Sequence, residues 1–325
     1  MRRAAEAVMG NGMRSSVQMA VQIQNMPWGR GALLRAGRVV GLTMAMVVAF
    51  CLVLPAAAVA ATAMEQAYGK ALGGDAAAAR QLAGAAERGD AQAMYFAGRL
   101  QIEGKGATRD PKAGFEWIRR AAEKGHAPAQ EALAVLYIDG VGTAPSPQLA
   151  GRWFRAAAEQ GHATAQIQLG MMHERGHGLL QDLAVAAKWY RAAAERGHPV
   201  GHFLYGLALL NGRGVKLDAP GGVKWITAAA DKGLDEAQNA LGLAYLTGRG
   251  AAKDYVRAAR WFGLAANQGF APAQYALGTM LEEGMGAKID LAAARAWYAK
   301  AAKQGHEDAK LALARLVPGR PAAGK

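Results

Sequence analysis

Cysteine is almost absent. The single Cys51 lies inside the uncharged run VVGLTMAMVVAFCLVLP near the N-terminus, so the rest of the chain cannot form a disulfide in any compartment. Phe50, directly before it, is too bulky for the small residue a lipoprotein-processing site needs. Aromatic residues are also scarce, at 7%. A core with so few rings, in a chain rich in Ala and Gly, points to closely approaching helices rather than a bulky sheet core. The net charge of +13 is not gathered into a long basic run, so the sequence does not point to nucleic-acid binding. No phosphate-binding glycine loop, nucleophile elbow or carboxylate pair stands out, and 52% apolar residues exclude a disordered chain.

The leader is the most basic part. Residues 1–63 hold six Arg and one Glu. Arg30, Arg35 and Arg38 precede the apolar run, and AAAVAATA follows it. A basic flank, an apolar stretch and small residues spaced A-x-A describe a secretory signal peptide. Cleavage is expected after Ala58-Val59-Ala60 or Ala61-Thr62-Ala63, with retention as an inner-membrane anchor through residues 39–63 as the alternative. The leader is long, and Met26 offers a second start. Residues 64–74 read as a linker and residues 317–325 as a flexible tail. The bulk of the chain is expected in the periplasm or secreted, or held in the periplasm by the anchor.

A strict 36-residue period fills residues 75–316. Gly89, Gly125, Gly161, Gly197, Gly233, Gly269 and Gly305 keep this interval, as do Trp117, Trp153, Trp189, Trp225, Trp261 and Trp297. Gly-x-Gly recurs from Gly104/Gly106 to Gly284/Gly286 without an insertion. Each unit predicts two helices of about 13 residues. The first, helix A, buries Ala93, Ala97 and Leu100 and stops at Gly-x-Gly. The second, helix B, starts at a column of Asp110, Ser146, Asp182, Asp218, Asp254 and Asp290, residues that cap free backbone N–H groups. The Trp column is expected to fill the gap between layers. One hairpin cannot bury its own stripe, so the prediction is an all-α solenoid of stacked helix-turn-helix units.

The pattern A-x-x-x-L-G…G-x-G…D…A-x-x-W-x-x-x-A-A-x-x-G closely resembles the Sel-like repeat (SLR) family, a branch of the tetratricopeptide-like α/α repeats. The resemblance covers about residues 75–316, as six full units and flanking half-units. It implies a right-handed α/α superhelix acting as an adaptor for other proteins, without catalytic residues or a cofactor. Gln81 stands where Trp is expected, Ser146 replaces Asp, and Ala134 and Ala314 replace the helix-A Gly. Some secreted relatives are described as penicillin-binding, which makes cell-wall or β-lactam chemistry the alternative. Those relatives carry paired cysteines in each repeat, and this chain has none.

One motif argues for an enzyme. His173-Glu174-Arg175-Gly176-His177 matches H-E-x-x-H, which places two imidazoles on one face of a zinc-protease helix. In repeat register, however, Gly176 is the helix-ending glycine, so the helix is expected to stop between the two His. Leu180 and Leu183 occupy the positions where a metzincin needs Gly and His. Glu195 is near enough in sequence to act as a later carboxylate ligand. His126, His162, His198 and His306 read as turn residues opening helix A. No metal ligand set is assigned.

A partner surface is the remaining candidate site. On helix A, positions opposite the buried stripe vary between copies. Tyr95, Arg99, Glu131, Ile167, Met171, Phe203, Leu207, Asn239, Leu243 and Tyr275 occupy them, together with Val135 and Thr279. They are expected to face out as a groove for an unidentified protein or peptide, with contact between neighbouring A helices as the competing reading.

Overall fold

The computed structural model describes residues 56–316; the apolar run at 39–54, the leader before it and the tail at 317–325 lie outside the described residues. Fifteen α-helices and no strand occur among the described residues. None of these helices is long and apolar enough to cross a membrane. The chain divides into two compact units, whose described parts are residues 56–182 and 183–316.

The first unit contains α1 (Ala56–Leu72), α2 (Ala76–Glu87), α3 (Ala91–Glu103), α4 (Pro111–Glu123), α5 (Ala127–Asp139), α6 (Pro147–Glu159) and α7 (Ala163–Arg175). The second contains α8 (Leu183–Glu195), α9 (Pro199–Asn211), α10 (Ala219–Asp231), α11 (Asp235–Thr247), α12 (Tyr255–Asn267), α13 (Ala271–Glu283), α14 (Leu291–Lys303) and α15 (Glu307–Arg315). In each unit, consecutive helices pack as hairpins, and hairpins stack on their sequence neighbours. This is the predicted all-α repeat solenoid.

Local sequence sets the helix ends. Asp110, Asp218, Asp254 and Asp290 each accept a bond from the backbone N–H three residues on, at 2.8–3.0 Å, and Ser146 does so at 3.4 Å. The first Gly of each Gly-x-Gly is a left-handed C-cap, as at Gly104 with φ 68°. The second Gly has a different task. A Cβ at Gly142, Gly178, Gly214, Gly250 or Gly286 would strike the backbone at the first residue of the preceding helix B, as Gly142 would strike Pro111. This close backbone approach fixes the spacing of adjacent repeats.

Helices A and B of one repeat meet through glycine. A Cβ on Gly98 would lie 2.7 Å from the Gly114 carbonyl oxygen, and Gly206 is held equally close to Gly222 and Ile226. The large side chain filling the hairpin is not the Trp but the residue after it. Ile118, Phe154, Ile226, Phe262 and Tyr298 are fully buried, whereas the Trp column is only half-buried. The expectation that Trp fills the inter-layer core is therefore corrected. The Trp rings cover the edge of the core, where Arg120 lies 4.5 Å over Trp117 and Lys300 3.9 Å over Trp297.

A polar ladder joins the layers, and the sequence reading missed it. Gln130, Gln166, Gln238 and Gln274 are buried on helix A, and each donates Nε2–H to the carbonyl eight residues earlier, at the C-terminal end of the preceding helix B. Each of these carbonyls also accepts a turn N–H, as Ala122 does from Gly125 at 2.9 Å, so the amide fills its second acceptor position. Oε1 of Gln130, Gln238 and Gln274 accepts in turn from Gln160, Gln268 and Gln304 at the end of the following helix B, at 2.7–2.9 Å. Each of these three side chains thus ties three helices together.

The linker expected at residues 64–74 is not one. Residues 64–72 are the C-terminal part of α1, and only the turn at Gly73-Gly74 separates it from α2. Ala67 and Ala71 are buried against Ala78, Leu82, Phe96 and Leu100, and the Tyr68 ring stacks on Phe96 with centroids 4.5 Å apart. The segment lacks the repeat pattern because it has no Gly-x-Gly to stop it. Its Ala-rich composition carries the helix on until two glycines end it.

Candidate partner-binding face

The ten candidate residues all lie on A helices, and none is fully exposed. Ile167, Phe203 and Asn239 are buried, as is Thr279, so the expectation that these positions face out is corrected there. Tyr95, Glu131 and Tyr275 occupy the same repeat position and are half-buried. Contacts within each unit explain the burial. The Tyr95 ring lies 5.4 Å from His126, Glu131 lies 3.3 Å from His162, and Tyr275 stacks on His306 at 4.8 Å. In all three the partner is the N-cap residue of the next helix A. The direction pointing away from helix B is therefore flanked by another helix A and is not open solvent.

What remains accessible is narrower. In residues 56–182 it comprises half-buried Tyr95, Arg99, Glu131, Val135 and Met171; in residues 183–316 it comprises Leu207, Leu243 and Tyr275. Arg99 lies over two rings, 5.2 Å from the centroid of Tyr68 and 5.6 Å from that of Tyr95, and pairs with Glu103 at 3.2 Å. Burial pushes the Tyr68 hydroxyl up to about 12 and raises that of Tyr95, so both stay neutral hydrogen-bonding groups. Burial alone pushes the Glu131 carboxyl up to about 7 and lowers the His162 imidazole.

The column of histidines that opens helix A does what turn residues at that place do. His126, His162, His198 and His306 are all N-cap residues with extended backbone. Nδ1 of His126 and of His306 accepts a backbone N–H from Ala129 and Ala309.

The protease-like motif is split by the helix terminus. Helix α7 ends at Arg175, and Gly176 turns left-handed at φ 70°. His173 is buried inside the helix and donates Nδ1–H to the Leu180 carbonyl at 3.1 Å, while His177 follows in the turn. Two imidazoles separated by a left-handed cap do not share the helical face that a zinc-protease motif uses. Among the described residues no group of three His, Cys, Asp or Glu is placed to hold a metal. Thermal unfolding followed by circular dichroism is expected to be the same with and without EDTA. A melting temperature that drops on chelation would reinstate a structural metal.

The Sel1 repeat family pattern matches residues 91–126, 127–162, 163–198, 199–234, 235–270 and 271–306. Among solved structures, a protective antigen present in uropathogenic Escherichia coli strains, displaying an SLR fold, is 33% identical with a TM-score of 0.70. That match covers 72% of this chain and 50% of the antigen, so the chain spans about half the antigen's length. A Sel1 repeat protein from Oxalobacter formigenes is 34% identical with a TM-score of 0.66, over 74% of this chain and 69% of that one. A comparison with curated proteins gave no match. Six contiguous matches across most of the chain, with the same hairpin stack in both solved relatives, carry one conclusion: the chain belongs to the Sel1 repeat family.

Proposed function

We propose that the protein is an exported, non-enzymatic scaffold that binds another protein or peptide in the periplasm or cell envelope. The observation that carries this reading is the allocation of residues within the repeats. Columns that build caps, close glycine contacts and the Gln ladder recur from copy to copy, whereas the accessible A-helix positions change, from Val135 and Met171 to Leu207 and Leu243. A surface that varies on a repeated frame suits recognition of a partner along an extended face. Sel1 repeats typically serve as protein-interaction scaffolds, which supports the same reading.

Export rests on the leader. The basic flank, the apolar run at 39–54 and the A-x-A sites precede Met64, which contacts the cores around both Leu82 and Phe115. Cleavage after Ala60 or Ala63 leaves Met64 in place, whereas a chain beginning at Glu65 loses it. Fractionation of cells expressing the full chain, followed by cross-linking and capture from the envelope fraction, tests the proposal. A discrete protein partner, protected from protease added outside the inner membrane only until the outer membrane is opened, is expected. Recovery solely from cytosol, or the absence of any cross-linked partner, would refute it.

A further inference from the structure

We propose that the A-helix face of residues 56–182 captures a cationic side chain, a Lys or Arg presented by a peptide or protein partner, with Glu131 as the counter-charge and Tyr95 and His126 beside it. The inference rests on the scaffold reading and names the chemistry of the partner at that face.

Glu131 is a half-buried carboxylate whose side chain is 23% exposed; among the described residues its ionic contact is His162 at 3.3 Å, with no Lys or Arg in an ion pair with it. Two comparable helix-A carboxylates are compensated. Glu103 is held by Arg99 at 3.2 Å and Lys105 at 3.0 Å, and Glu282 by Arg315 at 2.8 Å and the Tyr298 hydroxyl at 2.8 Å. A carboxylate taken out of water without a cation is costly, and the cost is recovered when a partner brings one. His162 does not fill that place at neutral pH, because burial holds its imidazole in the neutral form. Its Nδ1 faces the Glu131 carboxylate at 3.3 Å and does not cap the helix, in contrast to the capping Nδ1 of His126. Arg99, on the neighbouring α3, is already taken up by Glu103 and the Tyr95 hydroxyl.

The same geometry gives the capture a pH dependence. Tyr95 on α3 interacts with Glu131, Arg99 and Glu103, His126 at the N-cap of α5 interacts with Asp90 and His162, and His162 at the N-cap of α7 lies 3.3 Å from Glu131. Burial lowers the His126 and His162 imidazoles and raises the Tyr95 hydroxyl, so Tyr95 stays neutral between pH 6 and pH 8. Over that range Glu131 ionises, since burial pushes its carboxyl up to about 7. Affinity for the cation is therefore expected to rise by about tenfold from pH 6 to pH 8.

The test uses the full chain in mild detergent, presented with a random heptapeptide library, followed by anisotropy titrations of single enriched peptides. Enrichment of Lys- or Arg-containing peptides is expected. Exchanging that residue for norleucine or citrulline should weaken binding at least tenfold in the wild type and not in Glu131→Gln. His162→Lys, which supplies a cation within the chain, should block the peptide. The melting temperature of Glu131→Gln at pH 8 should be unchanged or higher, because the variant removes a desolvated charge; this separates lost binding from lost folding. Enriched peptides without a cation preference, or equal binding by Glu131→Gln, would overturn the inference and leave the scaffold reading standing. Failure to enrich any peptide would overturn both.

Discussion

Replacing Phe203 with Ser is expected to lower stability by about 3–5 kcal/mol, the loss found when a large buried aromatic is truncated. Phe203 is 2% exposed on α9, and the incoming hydroxyl would be buried as well. The sequence assigns it to the open side of its helix, where the same change would cost a few tenths of a kcal/mol. Leu207→Ser, at a half-buried position one turn on, should cost clearly less. Trp225→Ala is the informative comparison. Its ring is half-buried and meets Tyr205 edge-on at 5.5 Å and His202 at 5.3 Å. The order of destabilisation is therefore Phe203→Ser above Trp225→Ala, the reverse of what the repeat pattern suggests. Urea unfolding followed by circular dichroism measures it. A larger loss for Trp225→Ala would mean that the Trp column, and not the buried Phe203 position, holds the stack.

Why the sequence misplaced Phe203 is a matter of which contacts leave a periodic trace. Helix A against helix B is visible because Ala93, Ala97, Gly98 and Leu100 form a stripe of the same character in every copy. Helix A against the next helix A is seen at Tyr95, Glu131 and Tyr275, a position that is Ile167, Phe203 and Asn239 in the other copies. Variation there reads as solvent exposure, yet three of these residues meet the N-cap of the next helix A: His126 for Tyr95, His162 for Glu131, His306 for Tyr275. The fold, its period and its caps were legible because glycine and Asp have few alternatives at those positions. The Gln ladder had a signal too, a polar residue recurring next to the buried Ala column, as at Gln130 and Gln166. It escaped notice because Met94 and His202 interrupt it. His202 keeps the function of the ladder, since its ring bonds the Ala194 carbonyl eight residues earlier. Helix α1 was hidden for the opposite reason: it packs like a repeat but lacks the glycines by which a repeat is recognised. Of the candidate face, the helix was legible, whereas the burial of Ile167, Phe203 and Asn239 was not, because a position whose residue changes from copy to copy leaves no periodic apolar trace.

Glycines that look alike in the sequence are expected to differ widely in what they tolerate. Gly214 and Gly233 both carry positive φ, at 71° and 85°. Substituting Ala at Gly233 adds a Cβ with no atom within 4 Å, so the cost is that of the left-handed conformation alone, about 1–2 kcal/mol. At Gly214 the same Cβ falls on the carbonyl group of Leu183 at the start of α8. Neither partner is the flexible end of a side chain, so relief requires the loop after α9 to move off the preceding helix B. That separation opens the stack between the two hairpins and exposes part of the core beneath it. Gly214→Ala should therefore cost more than about 3 kcal/mol, the conformational penalty plus the strain of overpacking against backbone. Chemical denaturation of the two variants side by side reads the difference, and the matched φ values cancel the conformational part. Equal losses at the two positions would show that the second glycine of Gly-x-Gly is kept only for its dihedral angles, and that the repeats are not spaced by this backbone contact.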